Sequence, residues 1–180
     1  MILERVVILV SIFVSYFLQS SVDFFRLGEI KPDFILILTV YIALYRGDFA
    51  GIWVGFLGGL LQDINLGGSA LGSSEVRYYI GTHTLPVSLI GYFTGKIAPK
   101  INKEGTWILM ILLFFLSLAK GFLTFFLVAL FHSAMSAQAI VSIIIPEALY
   151  NGIFGAFWFK LLQWALPQEE HTSTTPRYIR

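Results

Sequence analysis

Trp107-Ile108-Leu109-Met110-Ile111-Leu112-Leu113-Phe114-Phe115-Leu116-Ser117-Leu118-Ala119-Lys120-Gly121-Phe122-Leu123-Thr124-Phe125-Phe126-Leu127-Val128-Ala129-Leu130-Phe131 contains a single ionisable side chain, Lys120. A bilayer core about 30 Å thick takes roughly 20 consecutive apolar residues of helix, and this run is longer than that. It reads as a transmembrane helix, and the rest of the chain follows the same pattern. Apolar segments also run from about Val6 to Val22, Pro32 to Tyr45, Phe49 to Asp63, Tyr79 to Ala98 and Gln138 to Leu166. The expected fold is all-α, a polytopic membrane bundle of about six transmembrane helices in a single domain over 1–166.

Composition agrees. Hydrophobic residues make up 57% of the 180 and charged residues only 13%, too few to cover the surface of a water-soluble domain. A net charge of +1, with no basic run, gives no footing for nucleic acid. Without cysteine there is no disulfide, thiolate metal site or cysteine nucleophile. The N-terminal apolar run is followed by Leu18-Gln19-Ser20-Ser21 and lacks a clean small-residue cleavage site, so it is expected to stay as the first helix.

Connections come next. Arg46-Gly47-Asp48 separates the second and third segments and is expected to form a tight hairpin at a membrane face. Pro32 suits the first turn of the second helix, and Pro86 is expected to kink the fourth. Gly67-Gly68-Ser69-Ala70-Leu71-Gly72-Ser73-Ser74 reads as an irregular loop, and the polar tail 167–180 as disordered. Six spans would put Arg5, Arg46, Lys96, Lys100, Lys103, Lys160, Arg177 and Arg180 on one side, against Arg26, Lys31 and Arg77 on the other. The positive-inside rule makes the first side cytoplasmic, with both termini inside.

Two patterns could carry function. Gly47, Gly51, Gly55 and Gly59 lie four apart, with Gly58 beside them, and form one stripe on a helix. Such a stripe lets a second backbone approach closely, either from a helix of the same chain or from a partner protein docking there. Gly91 and Gly95 repeat the spacing. The second pattern is intramembrane polarity. Lys120 sits mid-helix, where an unpaired ammonium costs roughly 2.5 kcal/mol or more. Counting from the shared hairpin puts Glu147 at matching depth as its expected partner, with Asn151 and the carbonyl freed by Pro146 nearby. Such a pair either fixes helix register or marks a ligand, ion or partner contact. Asp63 either ends the third helix in solvent or, if the helix continues to Leu66, lies within the membrane and wants a cation such as Arg77 or Lys120. Gly67-Gly68-Ser69, with His83 and His132 elsewhere, is too short a match to assign a serine nucleophile, and no His pair has metal-ligand spacing. No catalytic residue, cofactor or metal site is expected.

Pro32-Asp33-Phe34-Ile35 through Val40-Tyr41-Ile42-Ala43-Leu44-Tyr45-Arg46-Gly47 resembles the second-helix signature of the rod shape-determining MreD family. Gly51, then Gly55-Phe56-Leu57-Gly58-Gly59-Leu60-Leu61-Gln62-Asp63, Gly68 and Gly72, are similar to that family's central block. Gly91-Tyr92, Gly95-Lys96 and Pro146-Glu147-Ala148-Leu149-Tyr150-Asn151 resemble further family blocks, whereas Ser73 to Thr84, with Glu75 and Arg77, departs from the pattern. The resemblance implies a bacterial inner-membrane, non-enzymatic scaffold of the cell-elongation machinery. Its implied partner is MreC and, through MreC, MreB, RodA and a class B penicillin-binding protein that build peptidoglycan. The family is also similar in architecture to the substrate-binding membrane subunits of energy-coupling-factor vitamin transporters. That likeness implies an alternative, small-molecule binding through Asp63, Arg77, His83 and Asn151.

Overall fold

The computed structural model describes residues 2–21, 23–28, 30–66, 80–101, 105–131 and 140–166. Six α-helices account for most of them: α1 (Ile2–Ser21), α2 (Phe34–Arg46), α3 (Asp48–Leu66), α4 (Thr84–Ile97), α5 (Thr106–Phe131) and α6 (Ile145–Ala165). A 3-10 turn, Ala98–Lys100, ends α4, and a π-helical turn, Ile140–Ile144, leads into α6. Pro146 sits in the first turn of α6 beside that π-turn, where the irregular backbone absorbs its missing N–H. The expected loop 67–74, Glu75, Arg77, Lys103, His132 and the tail 167–180 lie outside the described residues.

The bundle is organised around α2. Every residue from Phe34 to Leu44 is buried, and α2 touches all five other helices. A helix apolar on all sides belongs in an interior. It has 13 residues, about 20 Å at 1.5 Å per residue, which is short of a bilayer core. Because α2 has no lipid contact to satisfy, that length costs nothing. Among the described residues, the helices long and apolar enough to cross a membrane cover Glu4–Ser21, Thr106–Leu130 and Val141–Ala165. These have the more exposed apolar faces, including Phe13, Phe115 and Phe157.

The tight hairpin expected at Arg46-Gly47-Asp48 reduces to one linking residue. Gly47 takes φ of 89°, its N–H donates to the Ala43 carbonyl, and α3 starts at once. A side chain would strain that left-handed backbone. α3 then runs back along α2 and α4 follows it, forming the most extensive helix pair in the molecule. α1 lies across α2 and α3 by the face carrying Glu4, Ile8, Ile12 and Ser15, the spacing of one helical stripe.

Polar contacts gather at the two ends of α2. At the Arg46 end, Arg46 pairs with Glu4, Lys96 with Asp48 at 3.0 Å, and Gln163 donates to the Tyr45 hydroxyl at 2.8 Å. The Tyr41 hydroxyl donates to the Leu166 carbonyl at 2.9 Å, so the end of α6 closes over the same end. Beyond the opposite end, Lys31 pairs with Asp23 at 2.6 Å, and that hydrogen bond holds the Asp23 carboxyl below its usual range. The Tyr150 hydroxyl donates to the Phe25 carbonyl at 2.9 Å, fastening the α1–α2 connection to α6.

Several boundaries differ from the sequence reading, among them α1 starting at Ile2 rather than Val6 and α3 ending at Leu66 rather than Asp63, and two of them involve prolines. Pro32 stands outside α2, because Asp33 takes the capping position. α4 begins at Thr84 rather than Tyr79, so Pro86, expected as a kink, falls in the first turn, where no intrahelical amide is needed.

Candidate functional site

Asp33 is the hub of a buried polar cluster at the start of α2. Aspartate is a preferred N-cap because its carboxylate can accept from the free amides of the first turn. Here Oδ1 accepts from the Leu36 N–H at 3.0 Å and from Gln62 Nε2 of α3 at 3.1 Å. Oδ2 lies 2.6 Å from Lys120 Nζ. The Asp33 N–H donates to Asn151 Oδ1 at 2.8 Å, and Asn151 Nδ2 donates to Ser117 Oγ at 2.8 Å. One residue thereby connects α2 with α3, α5 and α6.

Helical spacing explains how α5 and α6 meet it. Ser117 and Lys120 are three apart and share a face, as do Glu147 and Asn151 at a spacing of four. Glu147 Oε1 lies 3.6 Å from Lys120 Nζ, so the pairing expected from hairpin depth is present as the longer of two ion contacts. The shorter partner, Asp33, was not anticipated. Its side chain is 1% exposed, against 25% for Glu147, so the ammonium's main counter-charge is the fully enclosed one. The amide end of α2 adds favourable potential at Asp33. Asn151 uses its side-chain oxygen and nitrogen on Asp33 and Ser117 rather than on a carbonyl freed by Pro146.

Asp63 heads a second cluster. α3 does continue to Leu66, which places Asp63 inside the helix, 1% exposed. The cation expected for it is replaced by backbone amides. Oδ2 accepts from the Gly81 N–H at 2.8 Å and the Thr84 N–H at 3.1 Å, and Oδ1 from the His83 N–H at 2.8 Å. The Thr84 and Thr82 hydroxyls donate at 2.5 and 3.0 Å, and His83 Nδ1 lies 3.1 Å from Oδ1. A carboxylate from one helix thus caps the next, where the first amides lack intrahelical partners. Thr124 Oγ1 donates to the Thr82 carbonyl at 3.2 Å and joins α5 to the same turn. Lys120, one candidate cation for Asp63, is bound to Asp33 instead, and Arg77 lies outside the described residues.

The glycine stripe is filled from within. A Cβ on Gly51 would come within 2.7 Å of the Gly91 carbonyl oxygen, and one on Gly55 within 2.6 Å of that of Val87. On Gly59 it would come within 2.5 Å of Thr84 Cα. Gly95 and Gly91 return the fit, abutting the Gly47–Asp48 and Gly51 backbones. Gly58 faces α2, where Ile35 packs against it, and Gly47 serves the turn. Of the stripe Gly47, Gly51, Gly55, Gly58 and Gly59, offered either to a helix of the same chain or to a partner's, the last four meet neighbours of the same chain. α4 lies on Gly51, Gly55 and Gly59 and α2 on Gly58, as the internal packing reading has it, whereas a Cβ on Gly47 would meet nothing within 4 Å among the described residues.

These features define a class: a helical membrane protein in which Asp33, Asp63, Lys120 and Asn151 tie its own helices together. The family model described as rod shape-determining protein MreD matches residues 1–165, and the chain belongs to that family. Comparison with curated proteins and with solved structures returned no match.

Proposed function

We propose that the chain is a non-enzymatic scaffold of the bacterial cell-elongation machinery, docking the transmembrane helix of MreC and supporting peptidoglycan synthesis through it. One observation carries this reading. Asp33, Asp63, Lys120 and Asn151, the buried groups a chemical or binding role would draw on, are engaged across helix boundaries. The working surface is then the exterior. There, apolar side chains such as Phe56, Phe93, Phe115 and Phe157 stand exposed on α3, α4, α5 and α6. Family membership supplies the biological setting. Docking falls on that exterior, because a helix seated on the Gly51–Gly59 seam would have to displace α4.

The proposed site is the inner membrane, with the Arg46 end cytoplasmic. Arg46, Lys96, Lys100 and Lys160 cluster towards that end, as cytoplasmic surfaces favour. The start of α1, through Glu4, and the end of α6, through Leu166, lie at that same end. The vitamin-transporter alternative draws on Asp63, Arg77, His83 and Asn151; Asp63, His83 and Asn151 are each hydrogen-bonded to neighbouring helices or turns, and Arg77 lies outside the described residues.

Purification in mild detergent from a rod-shaped host tests the reading. MreC is expected to co-purify at a stoichiometric ratio, and depletion of the protein is expected to round the cells. Recovery without MreC, together with rods that persist after depletion, would overturn it.

A further inference from the structure

An open groove of about 730 Å³ lies between α1 and α3 at the Arg46 end. Its size falls within the usual range of small-ligand pockets, roughly 300–1,000 Å³. Ile8 and Ile12 of α1 form one wall, and Trp53 and Leu57 of α3 the other. Ala50 leaves the floor open, and the mouth is charged by Glu4, Arg5 and Arg46. Glu4 and Arg46 neutralise each other. Arg5 is exposed and, among the described residues, has no carboxylate partner, so the mouth carries one spare positive charge.

We infer that this groove holds one anionic glycerophospholipid, its phosphate at Arg5 and an acyl chain between α1 and α3. Three features select that occupant. Depth is the first. Arg5 to Ile12 covers about 10 Å, and Phe49 to Leu57 about 12 Å, at 1.5 Å per residue. That is close to one leaflet of a core roughly 30 Å thick, whereas a partner's transmembrane helix needs a seat across its full thickness. Charge is the second, because a phosphodiester complements the surplus guanidinium and enters a mouth already lined by a neutral pair. The third is the wall. Phe49 and Trp53 line the groove and meet edge to face with ring centres 6.2 Å apart, an exposed aromatic pair of the kind found at headgroup depth.

Native mass spectrometry of the full chain, released from nanodiscs of mixed phosphatidylglycerol and phosphatidylcholine, tests the inference. One phosphatidylglycerol is expected to remain bound in preference to phosphatidylcholine. Arg5→Gln, a surface change, should weaken that retention about fivefold, the effect of one basic residue on an anionic headgroup. Ala50→Phe should abolish it by filling the floor, and inorganic phosphate should not compete, since it has no chain to bury. Equal retention of the two lipids, retention indifferent to both variants, or displacement by phosphate alone would each overturn the inference. A photo-crosslinker at Trp53 provides a second measurement in cells. Lipid adducts support the assignment, and a protein adduct would give the groove to a partner and refute it.

Discussion

Replacing Lys120 with Met removes an ammonium whose side chain is 8% exposed and leaves the Asp33 carboxylate, 1% exposed, without its counter-charge. Asp33 keeps its bonds from Leu36 and Gln62, but neither carries a charge. Breaking a buried pair by removing one partner costs about 3–5 kcal/mol in soluble proteins. Membrane insertion scales put an isolated charge at mid-helix near 2.5–3.5 kcal/mol. The expected loss is therefore about 3 kcal/mol, where these ranges overlap. Asp33→Asn alone should cost less, because Glu147 remains 3.6 Å from the ammonium. Glu147→Gln should cost about 1 kcal/mol or less, as suits a longer, partly exposed ion pair. The double variant Lys120→Met with Asp33→Asn should fall short of additivity by at least about 1 kcal/mol, the mark of direct coupling. Unfolding by titration of denaturing detergent into mild micelles gives each corner of the cycle. If Glu147→Gln proves as costly as Lys120→Met, or the Asp33 and Lys120 changes simply add, the ion pair is not organised around Asp33.

Other consequences are separately measurable. Gly55→Ala should destabilise by about 1–3 kcal/mol through the clash with Val87, reversing the gain of about 0.5–1 kcal/mol expected at an unhindered helical glycine. A raised melting temperature for that variant would mean that α4 does not sit on the stripe. Asp63→Asn puts a donor where amide hydrogens converge and should cost about 1–3 kcal/mol for each buried amide left without an acceptor. Faster hydrogen exchange at Gly81, His83 and Thr84 would accompany it, and unchanged exchange there would deny that Asp63 caps α4. Because the natural chain lacks cysteine, Asp23→Cys and Lys100→Cys can each report on one membrane face. An impermeant maleimide added to intact cells should label the first and spare the second, and the reverse pattern would invert the proposed topology.

Much of the fold can be read from the sequence because lipid imposes a length. α5 covers the whole apolar run Trp107–Phe131 and begins one residue earlier, at Thr106. The same rule loses force on α2, which is shielded by its neighbours and need not match the bilayer; only its apolar character on every side marks it as interior. The glycine spacing reveals a close-contact seam but not its occupant, since a stripe of small residues fits an internal or an external helix equally well. Lys120 and Glu147 could be related by counting because they share a hairpin. Asp33 shares none with Lys120, and their pairing depends on how far α2 is recessed along α5. A partial signal existed, for Pro32-Asp33 before an apolar run is an N-cap pattern that fixes Asp33 at a helix start. Asp63 misled for a different reason. A buried carboxylate suggests a cation, yet backbone amides of a turn distant in sequence serve as well, and sequence does not reveal that turn's position.

The exterior as the docking surface can be tested most directly in living cells by photo-crosslinking from exposed aromatic positions. Benzoylphenylalanine placed singly at Phe13, Phe56, Phe93, Phe115 and Phe157 samples α1, α3, α4, α5 and α6, each at a side chain already facing outward. Adducts with MreC are expected from a contiguous subset of these positions, on one side of the bundle. Absence of MreC adducts from all five, in cells where both proteins are present at normal levels, would contradict the scaffold reading.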